Sequence, residues 1–328
     1  MRAMVLEKVG FPLVLKDVPC PIPNPYEVLI KVKSCSVCRT DLHIIDGELP
    51  HSKLPLILGH QVVGIVDKLG VNASKHKIGD RVGIPWLGGS CHTCEFCISD
   101  RENLCDKAVY TGYMRDGGYA DYCTAHEDFV LPLPQIYDDL HAAPLLCAGI
   151  IGYRAFRLAG SAKTIGFYGF GSAAHLLLQV ANASGCDVYV FTRPGDKKTQ
   201  AFAYSLGAKW VGGSDELPPI LLDASLIFAP VGALYIQALK AIKKGGKVIS
   251  AGIHMSDIPS FPYALLWEER SISSVANLTR KDGIDFMQIA IKLHLQVSIT
   301  SYSLENVNQA LEAIRNGTLE GSAVLKIS

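Results

Sequence analysis

A chain of 328 residues is long enough for two domains, each with a core of its own. Its 31 basic side chains are matched by 31 acidic ones, and a net charge of zero gives no hold on nucleic acid or an anionic membrane surface. With 49% of residues apolar, the composition is that of a packed protein and excludes a disordered one. Glu7 and Lys8 interrupt the N-terminal apolar run, which makes it a poor secretion signal. No uninterrupted apolar run approaches the ~18 residues of a membrane span. The expectation is a soluble cytoplasmic protein, in which ten cysteines are expected as metal ligands rather than disulfides.

Residues 1–34 read as strands and turns. MRAMVLE and VLIKVKS alternate their faces, and the proline-rich PCPIPNPYE between them is unsuited to helix. The stretch Cys35–Gly64 then offers a thiolate at Cys38 and an imidazole at His60, a donor pair that suits zinc. Two ligands hold no metal firmly, and the best third is Cys147 in APLLCAGIIGY. Three protein ligands with one open position are the signature of a catalytic zinc. Two other readings stay open on these residues alone: Cys38 as a small core residue, and Cys35 with Cys38 as a redox pair.

HQVVGIVDKLG and GDRVGIPW continue the short-strand texture of a small β-barrel or sandwich. Next come Cys91, Cys94, Cys97 and Cys105, separated by two, two and seven residues. Such spacing lets four thiolates close all positions around one tetrahedral ion, pinning a lobe too irregular to be held by its own core.

From about Ala148 strands and helices alternate. TIGFYGFGSAAHLLLQVANASG is strand, glycine turn and amphipathic helix; DVYVFTR and KKTQAFAYSLGA repeat the pattern. Further strands are expected in LLDASLIFAP, GKVISAG and SISSVAN, with a helix over ALYIQALKAIKK. This order predicts a parallel sheet covered by helices. The turn Gly169-Phe170-Gly171-Ser172-Ala173-Ala174 is a GxGxxA between strand and helix, the context in which glycines admit a pyrophosphate to a helix N-terminus. After Asn277 the chain returns to mixed helices and strands ending in AVLKIS, a segment able to complete the first domain.

Together these features resemble the zinc-dependent medium-chain alcohol dehydrogenases over essentially the full length. The residues that carry the resemblance are Cys38-Arg39-Thr40-Asp41-Leu42-His43, GHQVVGIVDKLG, the four-cysteine lobe, PLLCAG and YGFGSAAH. It implies an α/β protein with a GroES-like, β-rich catalytic domain over residues 1–147 and 278–328 and a Rossmann domain over 148–277. It implies two zinc ions per chain, a catalytic one on Cys38, His60 and Cys147 and a structural one on Cys91, Cys94, Cys97 and Cys105. Asp41 would orient His60, and Arg39 would contact cofactor phosphate. Thr40 and His43 would relay a proton from the substrate hydroxyl, through the ribose, to the surface. Trp86 would narrow the substrate pocket in favour of primary alcohols and aldehydes, while Leu49 would leave depth for longer or aromatic chains. Family members are commonly dimers or tetramers.

The activity so implied is hydride transfer between a primary alcohol or aldehyde and a nicotinamide cofactor. Alternatives are a cinnamyl-alcohol-type aldehyde reductase and a non-catalytic nucleotide-binding relative, the latter not expected to keep Cys38, His60 and Cys147 together. His51, His76 and His141 read as ordinary solvated histidines. One departure from the family pattern stands at Gln61, where most relatives carry Glu, so a negative charge near the metal is absent.

The tip of the second Rossmann strand bears on the cofactor. NAD-binding domains carry an acidic residue about 20 positions beyond the glycine turn, where it binds the ribose 2′-hydroxyl. Here the strand ends Val190-Phe191-Thr192-Arg193, with Lys197 and Lys198 following. A hydroxyl and a guanidinium can bind a 2′-phosphate that a carboxylate would repel. The expectation is NADP(H) over NAD(H), held by Gly169, Gly171, Ala174, Thr192, Arg193 and Lys198. The competing reading has Asp196 folding back onto the ribose.

Overall fold

The strand Glu27–Val37 is the centre of the first sheet. It is buried almost throughout, and it pairs antiparallel with Val62–Leu69, Tyr122–His126 and Ser322–Lys326. The Val62–Leu69 strand continues the sheet to Arg81–Ile84, and Ser322–Lys326 continues it to Ile299–Ser303. The C-terminal segment therefore completes the N-terminal sheet, with Ala323 opposite Val37 and Lys326 opposite Ser34. Gly64 permits a close approach, because a Cβ there would lie 2.4 Å from the Lys31 carbonyl oxygen across the ladder. A second, three-stranded sheet joins Arg2–Leu6 to Val14–Asp17 and Leu56–Ile57.

This computed structural model describes residues 1–50 and 53–328 and separates into two units, Met1–Cys147 with Leu278–Ser328, and Ala148–Asn277. In the second unit six parallel strands run in the order Trp210–Gly213, Asp187–Thr192, Thr164–Tyr168, Leu222–Ile227, Ile242–Ser250, Ser271–Ser274. The helices Ser172–Ala183, Lys197–Ser205 and Leu234–Ala241 are threaded between them.

Three elements differ from the sequence reading. The helix expected over ALYIQALKAIKK stops at Ala241, because Ile242 turns extended (φ −101°, ψ 153°) and pairs with Leu222 as the first residue of a strand. Trp210–Gly213 adds an edge strand, and Ala148–Ala159 adds a helix. The helical run Asp139–Ala159 is long and apolar enough to cross a membrane by composition. However, 61% of its most apolar window is buried inside the protein, and its helix is interrupted at Cys147 (φ −131°, ψ −66°). Packing in a protein core accounts for that apolarity as well as a bilayer would.

Candidate metal centres and active site

The CRTDLH run begins the short helix Arg39–Ile45 with Cys38 as its N-cap. The Cys38 sulfur accepts the Thr40 N–H at 3.4 Å, and Asp41 Oδ2 accepts the Cys38 N–H at 2.9 Å. This reciprocal cap satisfies helix donors that have no partner of their own and fixes the Cys38 side chain. His60 follows Gly59, whose backbone has φ +97° and whose added Cβ would lie 2.5 Å from the Tyr119 ring. Only glycine fits there, and it sets His60 wholly in the interior. His60 Nε2 lies 3.1 Å from Cys38 Sγ, and Nδ1 lies 3.4 Å from Asp41 Oδ1. Cys147, at the break between helical segments, completes a set whose donor atoms all lie within 4.8 Å of one another.

The charges around this set call for a cation. Burial favours a neutral His60 ring, yet the Cys38 thiolate and the Asp41 carboxylate raise it to about 10. The neighbouring Cys147 thiol, against the cost of burial, holds Cys38 well below the usual thiol range; Cys147 is pushed well above it by the same contact. Cys38, His60 and Cys147 would hold a divalent ion in place of the shared protons, and their donor chemistry suits zinc. Cys35 leaves the CxxC pair: it is fully buried, its thiol is raised by desolvation, and its sulfur contacts the Ser36 carbonyl.

The four cysteines of the lobe also converge. Cys94 and Cys97 sulfurs are 3.5 Å apart and Cys91 and Cys97 sulfurs 3.8 Å, too far for disulfides, and all ten cysteines are free. Backbone N–H groups of Cys91, Cys94 and Lys107 point at Cys105, Cys91 and Cys105 sulfurs. The N–H groups of Thr93 and Cys94 hold Cys91 at about 5. Although the Cys97 N–H favours its thiolate, Cys94 is pushed up to about 11 by burial and the neighbouring sulfurs. A closed zinc site of four thiolates fits this set of converging sulfurs.

Other expected residues are placed as follows. Arg39 is half-buried, and one Nη donates to the Ile314 carbonyl at 3.0 Å. Thr40 and His43 lie three positions apart on one face of the short helix. His43 does not reach the surface as expected: it is buried, and its Nδ1 meets the carboxylate of Glu48, which is exposed. The reason is the chain reversal at Gly47, which brings the Glu48 N–H back to bond the His43 carbonyl at 2.9 Å.

Trp86 is buried edge-on to His60 at 4.8 Å and stacks on Tyr110 at 5.3 Å and Tyr113 at 5.7 Å. Leu49 packs against the same core, and the Tyr113 hydroxyl donates to the Pro50 carbonyl beside it. Glu48, Tyr110 and Tyr113 were not legible as site residues, since nothing in their spacing separates them from surface or core positions. His76 is tied to the Glu127 carbonyl and is not simply solvated; His141 pairs with Asp138 at the surface; His51 lies outside the described residues.

In the second unit Gly169 has φ +91° and its Cβ position lies 3.0 Å from Ala229, while Gly171 opens the helix Ser172–Ala183 with free space at its Cβ position. Ala174 is fully buried. Thr192 is buried; its hydroxyl accepts from Gln200 Nε2 at 3.1 Å and donates to carbonyls at the strand end. Asp196 is likewise occupied, capping the next helix by accepting the Thr199 N–H at 3.1 Å. Arg193 and Lys198 are exposed.

A six-stranded parallel sheet with helices between its strands and a β-rich unit with two thiolate-rich donor sets define the medium-chain dehydrogenase fold. Residues 24–135 match the alcohol dehydrogenase GroES-like domain. A probable alcohol dehydrogenase of Mycobacterium tuberculosis is 43% identical, over 94% of this chain and 90% of its own. An alcohol dehydrogenase of Geobacillus stearothermophilus is 35% identical over 100% of both. Among solved structures, a cinnamyl alcohol dehydrogenase of Sorghum bicolor superposes with a TM-score of 0.90 at 26% identity, covering 99% of this chain and 97% of its own. The chain belongs to the zinc-dependent medium-chain alcohol dehydrogenase family.

Proposed function

We propose that the protein is a zinc-dependent alcohol dehydrogenase that moves hydride between a primary alcohol or its aldehyde and NADP(H). The observation that carries the reading is the convergence of Cys38, His60 and Cys147 with Asp41 behind the imidazole. When bound, zinc supplies Lewis acidity toward the substrate oxygen and the nicotinamide serves as hydride carrier. Cys38, His60 and Cys147 would hold the ion, and the Asp41 carboxylate, with Oδ1 3.4 Å from His60 Nδ1, would orient the ring behind it. Thr40 takes the substrate hydroxyl proton, and His43 on the same helix face moves it outward to Glu48. Cys91, Cys94, Cys97 and Cys105 hold a second, structural zinc.

The cofactor preference rests on the strand tip. The Thr192 hydroxyl is bonded to Gln200 and Asp196 is committed to a helix cap, while Arg193 at the strand tip is exposed and offers a guanidinium to a 2′-phosphate. The stacked wall of Trp86, Tyr110 and Tyr113 also suits an aryl group, which favours a cinnamyl-type aldehyde as the second reading. A homodimer or homotetramer is supported by Tyr263 and Trp267, 68% and 61% exposed near the edge strand Ser271–Ser274. Ten free thiols suit a reducing cytoplasm.

The test combines zinc content per chain with reduction of NADP+ and NAD+ by a panel of primary, secondary and aryl alcohols. Full activity in zinc-free protein overturns the metal assignment; an equal or higher kcat/KM with NAD+ overturns the cofactor assignment.

A further inference from the structure

Apart from these centres, His92, His126 and Asp128 bring one ligand atom each within 4.8 Å of the others. His126 ends the strand Tyr122–His126, and Asp128 follows in the turn Glu127–Phe129. His92 comes from the four-cysteine lobe, where a left-handed backbone (φ 61°) turns its ring toward the other two. His92 Nε2 lies 3.9 Å from Asp128 Oδ2, and the two imidazole rings are 5.8 Å apart between centroids. Both rings rest on Phe129, at 5.9 and 6.0 Å. We propose that His92, His126 and Asp128 form a third metal site, separate from both cysteine-based centres, for a borderline divalent cation such as Zn2+, Ni2+ or Cu2+.

The donor set selects that class of ion. Two imidazole nitrogens and one carboxylate oxygen suit zinc, nickel and copper, whereas calcium and magnesium favour oxygen alone. The His92 side chain is 40% exposed, so solvent reaches the site and water can fill the remaining positions.

Two present contacts must adjust. Asp128 N–H now donates to His126 Nδ1 at 3.2 Å. Whichever ring nitrogen takes the ion, Nδ1 then carries either the metal or the proton, so this N–H gives up its acceptor. Lys75 pairs with Asp128 Oδ1, the oxygen that does not face His92, and its side chain is 58% exposed and free to return to water. Lys75 is therefore a competitor for the ion. A filled site would tie the cysteine lobe to a strand that is itself paired along Glu27–Val37. Its role would be to fasten the lobe, not to take part in hydride transfer.

The experiment is titration of Ni2+ into the zinc-loaded protein, followed by calorimetry and by metal analysis. One Ni2+ per chain is expected beyond the resident zinc, with affinity falling at least ~tenfold in His92→Asn, His126→Phe and Asp128→Asn. Asparagine tolerates the left-handed backbone at position 92, and phenylalanine keeps the ring contacts at 126. In Lys75→Met the affinity rises. His92→Asn keeps its zinc content and its alcohol oxidation, and loses the gain in melting temperature that Ni2+ gives the parent protein. No uptake by the parent protein, or undiminished uptake by His92→Asn and His126→Phe, overturns the site. Unchanged affinity in Lys75→Met removes Asp128 from the ligand set and overturns it as stated.

Discussion

His43 Nδ1 meets a carboxylate oxygen of Glu48, and the pair runs from a side chain 9% exposed to one 38% exposed. In the proposed Thr40–His43 relay, the partner that follows His43 is this carboxylate. Arg315, held by a two-pronged contact to Asp46 at 2.8 and 2.7 Å, adds a nearby positive charge. Glu48→Gln is expected to lower kcat for alcohol oxidation several-fold, with recovery as the concentration of a small acid–base buffer rises. Zinc content should stay the same. A kcat equal to that of the parent protein at low buffer would remove Glu48 from the proton path.

The two cysteine-based centres should separate on substitution. Cys38→Ala is expected to lose one zinc and turnover while keeping its melting temperature, since its sulfur closes no structural lobe. Cys94→Ala is expected to lose one zinc and stability together, because the lobe is held by its ion. Metal analysis and thermal melts on both variants check this; equal melting losses would merge the two roles.

Arg193→Ala should lose most of the preference for NADP(H) over NAD(H), by at least ~tenfold in the ratio of kcat/KM values, because a charge-assisted contact to a 2′-phosphate is removed. Zinc content serves as the control. A ratio unchanged from the parent protein would place the specificity elsewhere.

Gln61 is buried with neither amide nitrogen nor oxygen hydrogen-bonded among the described residues. Each unpaired buried polar group costs about 1–3 kcal/mol, so a side chain of similar volume without them should not destabilise. Gln61→Met is expected to keep or raise the melting temperature. A clear fall would show that the amide has a partner in solution.

Asp223 accepts the N–H groups of Lys163 and Thr164 at 2.8 Å each and pairs with Lys243 at 2.7 Å. Although burial raises its pKa, these contacts outweigh it and set the carboxyl well below the ordinary aspartate range. A depressed folded-state value stabilises above the unfolded pKa of about 3.9, and the contribution is lost as pH falls through the folded value. Asp223→Asn should therefore melt lower than the parent protein at pH 7, with the difference shrinking in acid below about pH 4. A difference independent of pH would contradict the sign.

What the sequence alone determined were features set by short spacing along the chain. The short spacing of Cys91, Cys94, Cys97 and Cys105 keeps their sulfurs within reach of one another, and Gly169, Gly171 and Ala174 mark a strand–turn–helix wherever the sheet lies. The apolar alternations that mark Glu27–Val37 and Thr164–Tyr168 belong to the same class, because side-chain period follows from local backbone geometry. Only tertiary structure decided where side chains point after strands pair and turns close. The end of the Asp187–Thr192 strand puts the Thr192 hydroxyl against Gln200, and the reversal at Gly47 brings Glu48 onto the buried His43 ring. Ile242 leaves its helix because Leu222 offers a buried strand partner. His92, His126 and Asp128 meet only once the cysteine lobe folds against the first sheet. Each depends on contacts between distant residues, whose energies outweigh the local preferences that a sequence displays.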